Sequence, residues 1–282
     1  MARQVIRRIG GADKIRKLNY NTKWLLQNWA YHSLLSSTDC LDGPSLEPDE
    51  YAAILCGGLS SFMGPSMIVF QILAETSRLS VEAAHCIHSD RDKRIEALRV
   101  LAAKDARLKA RLDAVYPEFP PSEDLTTPET SYHLAAFRCF VLTARLYLRQ
   151  VVSHCNAHSL VTQLLVNQLL ANIGNVVGTP AESSLLFPLF ITGVDATTES
   201  DRKIIKGHFL VIDNKSVPTR SCCCRMIGLE VDLAVSPHSC RIGNIQTAYA
   251  LLEAIWDRND FGERWVDWPR LSRELGWNVS FA

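Results

Sequence analysis

The chain has 282 residues, 47% of them hydrophobic and 21% charged, and its 30 basic residues balance 30 acidic ones. This composition excludes a disordered chain, and a zero net charge gives no support to nucleic-acid binding over the whole surface. The nine cysteines follow no regular spacing, and the basic start "MARQVIRRIGGADKIRKL" is too polar for a secretory signal. It lacks serine and carries Asp13, against a mitochondrial presequence, so a reducing compartment with mostly free, buried thiols is expected.

Apolar residues recur at helical spacing along almost the whole chain. "NTKWLLQNWAYHSLL" carries Trp24, Leu25, Asn28, Trp29, His32 and Leu35 on neighbouring turns. Gly64-Pro65 then opens a helix with Ile68, Val69, Ile72, Leu73, Thr76 and Leu79 on one stripe, since proline suits a first helical turn. "RDKRIEALRVLAAKDARLKARLDAVY" is expected to turn Ile95, Leu98, Leu101, Leu108, Leu112 and Val115 inward. Asp105 interrupts that stripe and predicts a bend or partial exposure. The interleaved charges of the same run read as a solvated face with i, i+4 pairs.

Pro117, Pro120, Pro121 and Pro128 then break the pattern and predict a surface loop between two halves of the domain. The strongest helix follows, with Leu134, Phe137, Val141, Ala144, Leu148 and Val151 at three- and four-residue steps. "SLVTQLLVNQLLANIGNVV" is the most apolar helix candidate. Gln163, Asn167, Gln168, Asn172 and Asn175 would be costly in hydrocarbon, so it reads as a buried helix with a polar stripe and not as a membrane span. "GNIQTAYALLEAIWDRND" puts Ile245, Ala248, Tyr249, Leu252, Ile255 and Trp256 on one face. Alternating strand patterns and fixed-period repeats are absent. The expected fold class is all-α, an irregular multi-helix domain with no regular repeat.

No nucleophile elbow, dinucleotide fingerprint or Walker loop occurs. The paired Asp-rich motifs that hold magnesium against a diphosphate are missing too, "RNDFGE" at Arg258 to Glu263 being the nearest approach. His85, Cys86 and His88 form one small cluster, and His154, Cys155 and His158 another, with His154 and His158 spaced to share a helix face. Both fall short of the four ligands of a closed zinc site. Cys222, Cys223 and Cys224, with His238 and Cys240, supply enough ligands by count, but adjacent cysteines point apart and lack C-x₂₋₄-C spacing. No catalytic, cofactor or metal residue is assigned, and no cofactor is expected.

From Ser183 onward the sequence carries a more specific signal. "LFPLFITG", Leu186 to Gly193, precedes Asp195-Ala196, then Asp201-Arg202, then Gly243-Asn244, then a Leu-Leu-Glu-x-x-Trp helix at Leu251 to Trp256. In this order the pieces resemble the fungal-specific transcription factor domain, the regulatory region of fungal binuclear zinc cluster transcription factors. "LCGGLSSFMGPSMIVFQILAETSRLS", Leu55 to Ser80, is similar to its usual helix pair. Read physically, Phe187 to Phe190 anchors two helices in the core, Asp201-Arg202 is a pair that pins a helix start, and Gly243 fits a turn or a helix entry with Asn244 as an N-cap candidate. The C-terminal Trp265, Trp268 and Trp277 are expected to pack a last helix on the core, with an exposed docking surface as the rival.

Residues 1–45 are expected to form N-terminal helices, and 46–282 the helical regulatory domain. The family's six-cysteine cluster is absent, so direct DNA contact is not expected, and the chain is expected to begin inside a longer regulator. A second departure is an insertion at 214–240, roughly two dozen residues beyond the usual short helix connection. It holds Cys222 to Cys224, and two readings stand: a translated intron, or a real surface loop. The resemblance implies a nuclear, non-enzymatic role in transcription, with control by a small-molecule effector, protein partners or a homodimer through a population shift. No membrane partner is expected. The alternative is a stand-alone helical module that sequesters a partner regulator.

Overall fold

Side-chain caps and proline set the helix boundaries. The Asn19 side chain accepts the Thr22 amide at 2.9 Å and starts α1, Tyr20–Ser36. Thr126 and Glu129 start the longest helix in the same way: the Thr126 amide donates to the Glu129 carboxylate at 2.9 Å and its hydroxyl donates at 2.6 Å. Those bonds hold the Glu129 carboxyl below its usual range. Ser159 accepts the Thr162 amide at another helix start, and Asp267 accepts the Arg270 amide at a fourth. The computed structural model describes residues 14, 19–39, 43–55, 66–86, 91–117, 126–215, 239–277 and 279–281.

After α1 come α2 (Pro48–Leu55), α3 (Met67–Cys86), α4 (Arg91–Ala114), α5 (Thr127–Val151) and α6 (Leu160–Val176). They are followed by α7 (Leu186–Val194), α8 (Glu199–Lys215), α9 (Ser239–Asn259) and α10 (Trp268–Glu274), with short 3-10 turns at Ser37–Asp39, Pro180–Ser184 and Asp260–Gly262. No strand occurs among the described residues, so the all-α expectation holds. No described helix is long and apolar enough to cross a membrane.

One buried cluster runs from Ala30 on α1 to Phe281 at the carboxy end. α5 passes through its middle. Its Tyr147 ring packs against Phe187 and Trp268, while the hydroxyl lies 3.0 Å from Ser77 Oγ and donates to the Thr38 carbonyl at 3.2 Å. One side chain thus ties α3, α5, α7, α10 and the 3-10 turn after α1 together. Aromatic burial supplies most of the driving force at this centre, since each such ring removes a large apolar area from water.

Several helix faces differ from the periodicity reading. On α1 the buried residues are Ala30, Tyr31, Leu34 and Leu35, whereas Trp24 and Leu25 are exposed. Ile68 of α3 is exposed as well. On α4, Ile95 and Leu98 are 48% and 51% exposed, and burial begins only at Leu101. The reason is where neighbours lie: α4 is pinned by Lys104–Glu82, Arg111–Glu75 and Arg145–Asp113, all from its second half onward. Asp105 lies within the continuous α4 and is partly exposed, the second of the two outcomes expected of it. It takes Lys109 at 2.6 Å and the Ser153 hydroxyl at 3.3 Å. On α6 the amides Asn167, Gln168 and Asn175 face solvent, and Gln163 turns inward with a specific task described below.

Gly243-Asn244 is not a turn. Both residues lie inside α9, and the Thr247 hydroxyl bonds the Gly243 carbonyl one turn on. A glycine there is tolerated at about 1 kcal/mol relative to alanine, and nothing stands within 4 Å of where its Cβ would be. Gly64-Pro65, the proline-rich stretch from 118 to 125, and the segment 216–238 with Cys222 to Cys224 and His238 lie outside the described residues.

Candidate functional site

α7, "LFPLFITGV", is buried at every one of its nine residues. A buried helix end leaves carbonyls that must find donors, because an unpaired buried carbonyl costs free energy. The donors come from side chains on four other helices. From α5, Gln150 Nε2 donates to the Ile191 carbonyl at 3.0 Å. From α9, Trp256 Nε1 donates to the Gly193 carbonyl at 2.8 Å, and Asn259 Nδ2 reaches the Val194 carbonyl at 3.5 Å. From α6, Gln163 Nε2 donates to the Asp195 carbonyl at 3.0 Å. From α8, Arg202 Nε donates to the Ala196 carbonyl at 3.2 Å. The carboxy end of α7 is therefore the point where α5, α6, α8 and α9 are keyed to one another.

Gly193 makes the closest approach possible. A Cβ at this position would stand 2.5 Å and 2.8 Å from the two terminal methyls of Leu252, which is itself fully buried on α9. Arg202 closes the far side. Its guanidinium donates to Asn259 Oδ1 at 2.9 Å and lies 4.3 Å above the Phe261 ring and 5.2 Å from Trp256. Burial draws its pKa down, and the charges of Glu199 and Asp257 partly restore it. Asp201 and Arg202 do not pair with each other, contrary to the sequence reading. Asp201 bonds the Thr198 hydroxyl at 2.6 Å at the start of α8, while successive side chains on a helix diverge, which sends Arg202 inward.

Asp195 follows α7 directly and is 5% exposed. Its Oδ2 accepts Gln150 Nε2 at 2.8 Å. Burial pushes its carboxyl up to about 7, against smaller opposing effects from the Gln150 hydrogen bond and the Arg149 charge. Its place at the negative end of α7 also disfavours ionisation. Gln150 is 3% exposed, and its Oε1 has no protein donor.

Both residues line a cleft of about 220 Å³ between the α5–α6 loop, the end of α7 and the turn after α9. Strained backbone lies in and next to its walls. His154, Asp260 and Phe261 have left-handed backbones at φ 46°, 48° and 54°, a conformation that costs a non-glycine residue on the order of 1 kcal/mol. Gly262 continues the turn at φ 94°, where a Cβ would meet Thr197 at 2.7 Å. The His154 ring lies on Trp265 at 4.2 Å, and Trp265 Nε1 donates to the Gln150 carbonyl at 3.3 Å.

His154 and His158 do not share a helix face, because they lie in the loop between α5 and α6. The left-handed turn at His154 sends it to Trp265, and His158 to Glu263 at 3.6 Å. His85 is exposed at the end of α3 beside Cys86, and His88 lies outside the described residues. Among the described residues no group of three His, Cys, Asp or Glu side chains is placed to hold a metal. Cys86, Cys139 and Cys155 are free thiols, and burial pushes Cys139 up to about 12. Of the three C-terminal tryptophans, Trp268 is core, between Phe190 and Phe281, and Trp277 packs against it half-buried, while Trp265 is 47% exposed at the cleft.

The sequence reading did not single out Gln150, Gln163 as a carbonyl donor, or Asn259. "RNDFGE", a poor match to a metal motif, forms the turn that walls the cleft. Asn-Asp and Phe-Gly after an apolar helix are a helix-stop signal that locates such a turn.

The pieces that converge on the end of α7 are those of the resemblance, Leu186 to Gly193, Asp195, Arg202 and Leu251 to Trp256. The profile described as fungal specific transcription factor domain matches residues 1–282. The chain belongs to this family. Among the relatives of this fungal-specific transcription factor domain is an uncharacterized transcriptional regulatory protein of Schizosaccharomyces pombe. It is 22% identical over 290 residues, which cover 99% of this chain and 49% of the relative. Transcriptional activator protein UGA3 of Saccharomyces cerevisiae is 25% identical over 175 residues, 62% of this chain and 29% of that protein. The domain thus spans about half the length of the first relative and less of the second. No solved structure matches it. Its family and relatives are transcriptional regulators.

Proposed function

We propose that this domain is the regulatory, non-enzymatic part of a nuclear fungal transcriptional regulator, makes no direct DNA contact, and responds to an effector or partner at the α7 end. The observation that supports the reading is the set of five side chains from four helices that meet there, beside a cleft with a buried carboxyl. Occupancy of the cleft would favour one arrangement of these helices over another, and the ligand's differential affinity for the two sets the size of the shift. Residues 46–282 would act as the responding unit, with protein partners or a second copy reading the change.

A reporter assay tests this. Residues 1–282 are fused to a heterologous DNA-binding module in a fungal cell, and output is compared with the module alone. The expected result is an output that differs from the module's and changes with growth condition. An output equal to the module's under every condition overturns the reading.

A further inference from the structure

The cleft is specific in its chemistry. Its buried base offers acceptors: Asp195, whose Oδ1 takes no hydrogen bond, and Gln150 Oε1, which has no protein donor. The amide orientation of Gln150 is fixed by its surroundings, since its nitrogen faces two acceptors, the Ile191 carbonyl and Asp195 Oδ2. The nearby cation Arg149 is already engaged with the hydroxyls of Ser159 and Thr162 at 2.9 and 3.0 Å. Glu263 and Arg264, both exposed, stand at the rim and offset each other in charge. A site that sets a buried acid beside a buried, unpaired amide oxygen calls for a ligand with several donors and a positive charge.

We propose that this cleft binds the primary ammonium group of a small organic amine, with Asp195 and Gln150 Oε1 as acceptors and the His154 and Trp265 rings, in contact with each other, as the wall beside it. An ammonium carries three donors in a compact head. A neutral alcohol brings no charge to stabilise the ionised carboxyl, and an anion would be repelled by it once ionised. The volume of about 220 Å³ lies below the usual range for ligand pockets and restricts the amine to a few carbons. The inference rests on the effector reading for its biological use, and binding in solution can fail or succeed independently of the reporter.

Binding an ammonium ionises Asp195, so a proton leaves below about pH 7 and none leaves well above it. The charged and titratable groups around the carboxyl are Arg149 on α5, His154 and His158 in the α5–α6 loop, Arg202 on α8, and Glu263 and Arg264 on the turn after α9.

Titration calorimetry on the full chain tests the proposal, with n-butylammonium chloride as probe and 1-butanol and butyrate as neutral and anionic counterparts. Runs at about pH 6 and pH 8.5, each in two buffers of different ionisation enthalpy, count the protons released. The expected result is saturable binding of the amine at least about tenfold tighter than the alcohol, with nearly one proton released at the lower pH and almost none at the higher. Asp195→Asn should lose about tenfold or more while melting no lower than the parent. Absence of amine binding, equal binding of the alcohol or of butyrate, or undiminished binding by Asp195→Asn overturns it. So does loss of binding in Glu263→Gln alone, which would place the amine at the rim. A responsive reporter without amine binding rejects this inference and leaves the regulatory reading standing. A silent reporter with amine binding does the reverse.

Discussion

The buried carboxyl of Asp195 should make the stability of the domain fall as pH rises from 4 to 8. Its ordinary value is 3.8, and in the folded chain it is about 7. Below about pH 4 both folded and unfolded states hold the proton, and the group contributes no pH dependence. Between about 4 and 7 the unfolded chain loses the proton while the folded chain keeps it, so stability declines with pH. Above about 7 both are ionised, and the full cost of a buried charge is present. A difference of roughly three pH units corresponds to about 4 kcal/mol. Asp195→Asn keeps the shape and the acceptor for Gln150 Nε2 but cannot ionise. It should match the parent near pH 4 and exceed it by up to about 4 kcal/mol near pH 8, on the order of 10 °C in melting temperature for a chain of this size. Melts followed by circular dichroism across this range check it. If parent and variant curves run parallel from pH 4 to 8, the carboxyl is not buried as described and the reasoning fails.

Two packing predictions concern the same junction. Gly193→Ala places a methyl 2.5 Å from Leu252. Overpacking of about 1–3 kcal/mol should outweigh the roughly 1 kcal/mol gain in helix propensity. Adding Leu252→Ala should then cost less than the sum of the two single changes, because the cavity receives the methyl, and a double-mutant cycle by urea melts would read a coupling near zero if α7 and α9 do not touch there. Arg202→Met removes the donors to the Ala196 carbonyl and Asn259 Oδ1 and leaves both buried. A loss of about 2–4 kcal/mol is expected, whereas an effect under about 0.5 kcal/mol, typical of a surface site, would contradict its buried place.

The helices themselves were legible because their apolar spacing is strong. Leu186 to Gly193 could be recognised as core from composition alone, since a run with no polar side chain except Thr192 has no face to offer solvent. Ends and partners were harder to read. Ile95 and Leu98 have the right period for burial on α4, but period does not tell how far a neighbouring helix extends. Gly243 looked like a turn because glycine often is one, yet α9 had already begun at Ser239. His154 and His158 have helical spacing and lie in a loop, where one left-handed residue redirects the first of them.

The candidate site was the least legible part, for a physical reason. Each carbonyl donor at the end of α7 is a single amide, indole or guanidinium on a helix whose other residues follow ordinary patterns. Gln150 differs from a solvated glutamine only by its position 41 residues before the carbonyl it serves. What marks the place is that donors from four helices converge on main-chain carbonyls, with Arg202 also bonding Asn259 and Gln150 also bonding Asp195, and that the Gln150 oxygen is left buried without a donor beside the cleft. Carbonyl pairing joins the helices, and the proposed response falls to the acceptors beside the cleft, so the proposal puts stability and response on different atoms of the same residues. Gln150 would carry both under that proposal: its nitrogen fixes α5 to α7, and its unpaired oxygen would take the ligand's donor. A Gln150→Leu chain should therefore lose stability by leaving the Ile191 carbonyl unpaired, about 1–3 kcal/mol, and lose amine binding as well. Asp195→Asn should lose only the second, and that contrast separates a carboxyl kept for a ligand from one that merely helps to hold the fold.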